Sequence, residues 1–234
     1  MIVPGGTPFL AVVPARGGST RVPGKNRRPL AGRPLVEWTI AHVARCATPM
    51  RLVVSTDSDE IAALAVRAGA EVPFLRPAEL ATDEAPTEPV LLHALAATPG
   101  ASEAEHVVLL PPTSPIRRDG TIDAAVARYR ELGADSLVSV TEVSPLQWSG
   151  PPDAPRALYD TGRRPRLQSV PPEARRYREN GSVVITSVAG LRATGNRICG
   201  RTVMYVMTRE EGIDVDCEHD FWLADQWLRS NHAC

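Results

Sequence analysis

Short apolar segments that alternate with amphipathic ones constrain the fold of this chain more than any other feature. Residues 9–15 (FLAVVPA), 51–55 (RLVVS) and 106–110 (HVVLL) are short runs rich in aliphatic and β-branched residues. Such runs are typical of strands that are buried on both faces. The segments between them have helical spacing. Strands that alternate with helices predict an α/β fold, with helices on both faces of a mostly parallel sheet.

The same patterns predict the individual elements. The predicted strands are 9–15, 51–55, 71–75, 106–110, 136–143, 181–187 and 202–207, and the predicted helices are 34–46, 59–68, 84–97, 119–132 and 218–230. Ligands of such sheets bind beyond the carboxyl ends of the strands, where the strand order reverses. The predicted binding region is therefore formed by the loops after residues 9–15, 51–55, 106–110 and 181–186.

Residues 144–180 break the alternation. They are rich in proline and arginine and show neither helical nor strand periodicity over most of their length. This composition indicates an irregular arm or a β-excursion rather than a second domain. We therefore expect a single domain over residues 1–234, with an irregular arm inserted at about 144–180.

Charge and hydropathy exclude several classes of partner. The 234 residues include 26 basic and 27 acidic side chains, which give a net charge of −1. This balance argues against bulk binding to nucleic acid or to acidic membranes. No apolar run reaches the roughly 18 residues that span a bilayer, and residues 1–10 do not resemble a signal peptide. We expect a cytoplasmic protein with reduced thiols at its scattered cysteines, Cys46, Cys199, Cys217 and Cys234.

The loop after the first predicted strand carries the clearest chemical signal. Residues 15–26 (ARGGSTRVPGKN) combine three glycines with three cations, one of which, Lys25, is the only lysine in the chain. Glycines let backbone N–H groups approach an anion, and cations neutralise it, so the loop suits a polyphosphate. It matches neither the Walker nor the dinucleotide pattern. A flexible, solvated loop without a ligand is the alternative.

Six segments, in this order, resemble the acylneuraminate cytidylyltransferase family of CMP-sugar-acid synthetases. They are ARGGSTRVPGKN (15–26), STDSDEI (55–61), RPAELATD (76–83), LLPPTSPIR (109–117), YRENGSVVI (177–185) and GIDVDCEHDF (212–221). The resemblance covers nearly the whole chain. It implies a three-layer, Rossmann-like nucleotide-diphospho-sugar transferase fold, CTP as donor, Mg²⁺ as cofactor, and a homodimer formed partly through the arm.

The resemblance also implies roles for individual residues. Arg16 and Lys25 would be catalytic, because they would neutralise phosphate charge as pyrophosphate departs. The implied nucleotide-binding residues are Ala15, Arg16, Gly17, Gly18, Ser19, Lys25, Asn26, Arg76 and Thr87. The implied acceptor-binding residues are Arg178 and Asn180, since an arginine fork suits a carboxylate or a phosphonate.

Asp214 and Asp216 are the candidate metal ligands. On a strand, residues two apart point to the same side, so both carboxylates could bind one Mg²⁺ through oxygen atoms. Exposed acids at the end of a strand would show the same D-x-D spacing. Asp220, in the same motif, suits this site, a helix cap or a structural salt bridge.

Several departures from the family's pattern cluster on the acceptor side. Thr20 and Pro111 stand where relatives often carry lysine and glutamine, and Val184 stands where sialate enzymes commonly carry tyrosine. Residues 197–201 lack an aromatic pair, so an apolar wall for an N-acyl group is expected to be missing. The pattern predicts a retained CTP site and a changed acceptor site.

We therefore expect an enzyme that transfers CMP from CTP to a small anionic acceptor and releases pyrophosphate. The acceptor is either a sialic-type or other 3-deoxy-2-ulosonic sugar acid, or a small phosphonate such as phosphonoformate. The alternatives are a nucleotide-binding protein with impaired catalysis and a transferase that uses another nucleoside triphosphate.

Overall fold

A mixed six-stranded sheet forms the centre of the molecule. The computed structural model describes residues 8–231, so Cys234 and most of the segment 1–10 lie outside the described residues. The strands of the sheet are β1 (Phe9–Pro14), β2 (Arg51–Ser55), β3 (His106–Leu109), β4 (Ser136–Val143), β5 (Arg176–Ser187) and β6 (Thr202–Met207). Their spatial order is β6-β4-β5-β3-β1-β2, and β5 alone runs antiparallel to its neighbours.

The strand order reverses at β1. The next strand along the chain, β2, pairs with one edge of β1, and β3 pairs with its other edge. A crevice forms at such a switch point, beyond the carboxyl ends of the parallel strands. The loop that follows β1, residues 15–26, therefore lies where the sequence predicts a ligand.

Helices cover both faces of the sheet, which confirms the predicted three-layer α/β fold. They are α1 (Leu35–Ala44), α2 (Asp59–Arg67), α3 (Thr87–Ala97), α4 (Thr121–Glu131), α5 (Val188–Thr194) and α6 (Glu218–Asn231). Alternate residues of β1 point to opposite faces: Phe9 and Val13 pack with α1, α2 and α4, and Leu10 and Val12 pack with α3 and α5. This period of two is what a doubly buried strand requires.

A third core lies beside the sheet and supports the C-terminal helix. Phe221 and Leu228 of α6 pack there with Leu30, which belongs to a small hairpin formed by Pro29–Leu30 and Arg33–Pro34. Val215, from the loop before α6, is fully buried in the same core. The core therefore holds the 213–217 loop against the rest of the domain.

Four details of the fold differ from the prediction. Residues 71–75 do not form a strand, since Glu71 makes only an isolated bridge with Val53. β5 begins at Arg176, inside the predicted arm. The helix α5 was not predicted, although the Ser187 side chain caps its start. The loop after 181–186 lies at the opposite edge of the sheet, because β5 is antiparallel and Ser187 pairs with the first residue of β3.

The arm contains a two-stranded hairpin, Trp148–Ser149 with Arg156–Ala157. Trp148 packs edge-on against Tyr159, with ring centroids 5.9 Å apart, and still exposes 56% of its surface. Homodimer formation through this arm stays a prediction.

Short 3₁₀ turns occur at Lys25–Arg27, Ala78–Leu80, Ala101–Glu103, Leu167–Ser169 and Pro172–Ala174. Within residues 8–231, every helix is too short or too polar to cross a bilayer.

Three of the cysteines lie in the described part of the chain, and no disulfide joins any two of them. Cys46 and Cys199 are buried, and Cys217 is exposed. Burial raises the pKa of the Cys46 thiol to about 12, so this side chain behaves as a small apolar group.

A buried carboxylate anchors the loop that leads into α6. Glu211 accepts hydrogen bonds from the Arg118 N–H (3.0 Å), the Thr121 hydroxyl (2.6 Å), and the N–H and hydroxyl of Thr208 (both 3.1 Å). Burial by itself would raise the pKa of Glu211, but these hydrogen bonds outweigh it and lower the pKa. The carboxylate thus fixes residues 208–211 to the start of α4.

We expect Glu211→Ala to lower the free energy of unfolding by about 2–4 kcal/mol, because it leaves several buried hydrogen-bond donors without an acceptor. Since the pKa is lower in the folded state, the stabilisation is full above the ordinary carboxyl pKa of about 4.3 and is lost as pH falls below it. Glu211→Gln should therefore flatten the pH dependence of stability in acid. Urea unfolding at several pH values measures both effects, and an unchanged acid slope in Glu211→Gln would contradict the assignment.

Candidate functional site

One cavity opens beyond the carboxyl ends of β1 and β3, a second opens beyond the end of β6 beside residues 178–180 of β5, and Asp216 lies where they meet. The first, the loop cavity, has a volume of about 540 Å³ and is lined by residues from the 14–26 loop, the 76–90 segment and Pro111–Thr113. The second has a volume of about 670 Å³ and is lined by residues 178–180, 209–216, Asp220, Leu223 and Trp227. Asp216 lines both. A ligand in one cavity can therefore approach a ligand in the other at this carboxylate.

Side chains on both sides of the loop after β1 hold it in place. The Gly17 N–H donates to Asp57 Oδ1 at 2.8 Å, and Asn26 Nδ2 donates to the Arg16 carbonyl at 2.9 Å. Of the three glycines in the loop, Gly24 has a positive φ, 64°, which starts the turn that carries Lys25. Asp57 and Asn26 thus give the loop a defined shape.

Lys25 lies at the floor of the loop cavity, with only 9% of its surface exposed. Its Nζ donates to the Val215 carbonyl at 2.6 Å and lies 3.7 Å from Asp216 Oδ1. Burial lowers the pKa of Lys25, while Asp216 and Asp214 oppose that shift. The ammonium group is therefore held in a fixed position beside the point where the cavities meet.

Val215 joins three loops. Its carbonyl accepts the hydrogen bond from Lys25, and its N–H donates to the Thr113 carbonyl at 2.7 Å. These two bonds fix the 213–217 loop to the loops that follow β1 and β3. Because the Val215 side chain is buried in the third core, Asp214 and Asp216 are free to face the cavities.

Two arginines accompany Lys25 in the loop cavity. Arg16 forms an ion pair with Asp83, which also accepts a hydrogen bond from the Thr20 hydroxyl at 3.3 Å. Arg21 Nη1 lies 3.3 Å from Asp216 Oδ2. The cavity thus receives three cations from one short loop, although Thr20 itself carries no charge. The sequence did not single out Asp83, which is the last residue of the segment RPAELATD.

The predicted nucleotide-binding residues fall into two groups. Arg16, Ser19, Lys25, Asn26, Arg76 and Thr87 line the loop cavity, and Ala15, Gly17 and Gly18 do not.

Arg76 is buried: its Nε donates to Ser55 Oγ at 3.0 Å and its Nη2 to the Ser55 carbonyl. Burial lowers the pKa of Arg76 to about 10. Arg76 is therefore no surface side chain, and it fixes the end of β2 beside the cavity. Thr87 is the first residue of α3.

Arg117 holds the loop after β3 in position. This fully buried side chain donates to the Pro111 carbonyl at 3.0 Å, the Ser182 carbonyl at 2.8 Å and Thr39 Oγ1 at 3.0 Å. Burial lowers the pKa of Arg117 to about 9. The side chain therefore ties α1, β5 and the cavity wall together. The segment LLPPTSPIR ends in this residue, but the sequence did not distinguish it from an exposed arginine.

The I-D-V-D segment does not have the strand geometry from which a shared side was inferred for its two carboxylates. Residues 213–216 form an extended loop before α6. Asp214 and Asp216 nevertheless both line the second cavity, while Val215 points into the core. Asp220 Oδ2 accepts hydrogen bonds from the N–H groups of Asp216 (3.1 Å) and Cys217 (3.0 Å). Asp220 therefore caps the start of α6, which is one of the roles predicted for it.

The donor set of Asp214 and Asp216 fits a divalent cation. Burial raises the pKa of Asp214, the Thr113 hydroxyl opposes the shift, and the charge of Asp216 adds to it. A cation between the two carboxylates would remove this repulsion, and hard oxygen ligands suit Mg²⁺. No cluster of three or more metal-binding side chains occurs within residues 8–231, so phosphate oxygens and water would have to complete the coordination.

The two predicted acceptor residues differ in their surroundings. Arg178 is exposed on the wall of the second cavity. Asn180 is buried beside the bulge between β4 and β5, where its Oδ1 accepts from Ser139 Oγ at 2.5 Å and its Nδ2 donates to Thr141 Oγ1 at 3.0 Å. These bonds shape the cavity wall. A direct contact between Asn180 and an acceptor stays a prediction.

The sequence matches known enzymes over nearly its whole length. Residues 10–157 match the family described as Cytidylyltransferase. The chain is 35% identical to CMP-N,N'-diacetyllegionaminic acid synthase of Legionella pneumophila, over 95% of this chain and 97% of that protein. It is 33% identical to N-acylneuraminate cytidylyltransferase of Escherichia coli over 93% of its length, and it spans 51% of that longer protein.

Two solved structures share the fold. CMP:2-keto-3-deoxy-manno-octonic acid synthetase complexed with CTP superposes with a TM-score of 0.67 at 17% identity, over 95% of this chain and 99% of the other. The 4-diphosphocytidyl-2C-methyl-D-erythritol synthase of Anaerococcus prevotii superposes with a TM-score of 0.65 at 13% identity, over 94% and 96%. Both similarities support the three-layer nucleotidyltransferase fold.

Proposed function

This chain belongs to the cytidylyltransferase family and is a nucleotidyltransferase enzyme, and from that membership we propose that it transfers CMP from CTP to a sugar acid. The curated relatives are named for CMP conjugates of legionaminic acid and for N-acylneuraminate as the acceptor of a cytidylyl group. Both acceptors are sugar acids. The proposed acceptor class follows from these names and from the chemistry of the second cavity.

The meeting of the two cavities at Asp216 carries the proposal. The loop cavity contains three cations, Arg16, Arg21 and Lys25, which suits the triphosphate of CTP. The second cavity exposes Arg178, which suits a carboxylate. A triphosphate in one cavity and an acid in the other would place the α-phosphorus next to the attacking oxygen.

In the proposed reaction a hydroxyl oxygen of the sugar acid forms a bond to the α-phosphorus of CTP and gives up its proton to solvent water. The bond from that phosphorus to the bridging oxygen breaks, and pyrophosphate leaves with the electron pair. Lys25 and Arg16 stabilise the charge that develops on the phosphates. Asp57 and Arg117 contribute indirectly, because they hold the loops that form the cavity.

We propose that Asp214 and Asp216 bind Mg²⁺ during the reaction. Their carboxylates face the same cavity and repel each other, and both observations support a cation between them. When bound, the cation would neutralise phosphate charge and orient the triphosphate. The Lys25 ammonium group, 3.7 Å from Asp216, would be a second positive charge beside this carboxylate.

Pyrophosphate release from CTP in the presence of single acceptors tests the proposal. The panel should contain N,N'-diacetyllegionaminic acid, N-acetylneuraminic acid, 2-keto-3-deoxy-manno-octonic acid and phosphonoformate, each with CTP, ATP, GTP or UTP. We expect release with CTP and at least one sugar acid, and a CMP conjugate detectable by mass spectrometry. If pyrophosphate is released with phosphonoformate alone, the acceptor is a phosphonate and not a sugar acid. Binding of CTP without turnover of any acid would indicate the catalytically impaired protein.

A further inference from the structure

The second cavity contains an arginine, Arg209, that lies outside the six segments that resemble the family. Arg209 follows β6 and lines the cavity together with Arg178 of β5. Both side chains are exposed. Among residues 8–231, no hydrogen bond or ion pair engages either guanidinium group. The arginines of the loop cavity differ, since Arg16 pairs with Asp83 and Arg21 pairs with Asp216.

The charges around these arginines favour an acceptor that carries one negative charge. Five carboxylates line the same cavity: Glu179, Glu210, Asp214, Asp216 and Asp220. Two of them are the proposed cation ligands, and Asp220 caps α6. Glu179 and Glu210 remain, and they can accept hydrogen bonds from hydroxyl groups. Two arginines beside these acids suit a carboxylate on a molecule rich in hydroxyls, and the surrounding carboxylates repel a small dianion such as a phosphonate.

The remaining wall of the second cavity is apolar. Leu223 and Trp227 lie one turn apart on α6, so they share a face of the helix. Ile213 adds to this wall, and Leu223 exposes 39% of its surface. An exposed apolar wall within a charged cavity suits an apolar substituent of the ligand. Residues 197–201, from which the sequence predicted a missing wall, line neither cavity.

We infer that Arg209, Leu223 and Trp227 determine acceptor specificity. Arg209 binds the acid group of the acceptor together with Arg178, and the α6 side chains contact an N-acyl substituent. The volume of about 670 Å³ suits a molecule the size of a nine-carbon sugar rather than phosphonoformate. This inference rests on the proposed function, since it takes the second cavity as the acceptor site.

Steady-state kinetics with two acids tests the inference. N,N'-diacetyllegionaminic acid carries acyl groups, and 2-keto-3-deoxy-manno-octonic acid carries none. Arg209→Ala should raise KM for whichever acid is used about 10- to 100-fold, because a charge-assisted hydrogen bond is lost. KM for CTP should stay within about twofold of wild type, since Arg209 does not line the loop cavity. Leu223→Ala should raise KM about tenfold for the acylated acid only.

Matched controls lie on the same elements. Arg201 precedes β6 and Trp222 is on α6, both are exposed, and neither lines either of the two cavities. Arg201→Ala and Trp222→Ala should leave all KM values unchanged. If Arg209→Ala leaves KM for both acids unchanged, as Arg201→Ala is expected to do, the role of Arg209 is overturned. If Leu223→Ala raises KM equally for both acids, or for neither, the N-acyl contact is overturned. If wild-type protein uses no acid, the proposed function fails together with the inference.

Discussion

Replacing Lys25 by methionine is expected to reduce kcat about 10²- to 10³-fold, the loss typical of a fixed donor to developing negative charge. Methionine keeps the apolar stem of the side chain and removes the ammonium group. The chain has no other lysine, and the two neighbouring arginines already bind Asp83 and Asp216. No nearby side chain can therefore take over this position. Pyrophosphate release at saturating CTP and acceptor measures kcat directly.

Arg27→Met is the matched control. Arg27 lies on the same 3₁₀ turn as Lys25, but it pairs with Glu60 and does not line either cavity. The control removes a positive charge from the same loop and should leave kcat within about twofold of wild type. Equal losses in both variants would show that the overall charge of the loop matters, and would contradict a specific role for the Lys25 ammonium group. Unchanged turnover in Lys25→Met would remove Lys25 from the mechanism.

The sequence predicted the architecture well because most elements carry their own periodic pattern. The alternation in 9–14 placed its side chains on two faces of the sheet, and the helical spacing between strands placed helices on both. The direction of β5 could not be predicted, because pairing is a tertiary property that leaves little trace in a local pattern. The helix α5 could have been found, since Ser187 and Gly195 are ordinary cap residues.

At the site, too, features with a local sequence pattern were predicted, and features that depend on tertiary contacts were not. The loop 15–26 carries glycines and cations in one contiguous segment, so its sequence indicated a phosphate site. The bond from Lys25 Nζ to the Val215 carbonyl joins residues 190 positions apart through a backbone atom. No residue pattern encodes such a contact. Arg209 and Leu223 were missed for a related reason, since the fold alone brings the segment after β6 and the helix α6 to one cavity.

Asp214→Asn is expected to lower turnover about 10²-fold or more at low Mg²⁺ and to raise the Mg²⁺ concentration needed for half-maximal activity. Asparagine keeps the size of the side chain and can still accept the hydrogen bond from the Thr113 hydroxyl. The substitution therefore removes charge with little change in packing. Asp216→Asn should also lose activity, but Asp216 pairs with Arg21 and Lys25, so its loss would disturb the loop cavity as well.

Titration of Mn²⁺ in the presence of CTP, followed by electron paramagnetic resonance, separates cation binding from catalysis. Asp214→Asn should weaken Mn²⁺ binding, and Lys25→Met should leave it unchanged or stronger, because the variant removes a positive charge beside the site. Asp225→Asn is the control: Asp225 binds the Ala31 N–H and Arg229 and lies outside both cavities. Wild-type Mn²⁺ affinity in Asp214→Asn would exclude Asp214 as a ligand. A rise in the metal requirement of Lys25→Met would mean that Lys25 positions the cation site instead of stabilising phosphate charge.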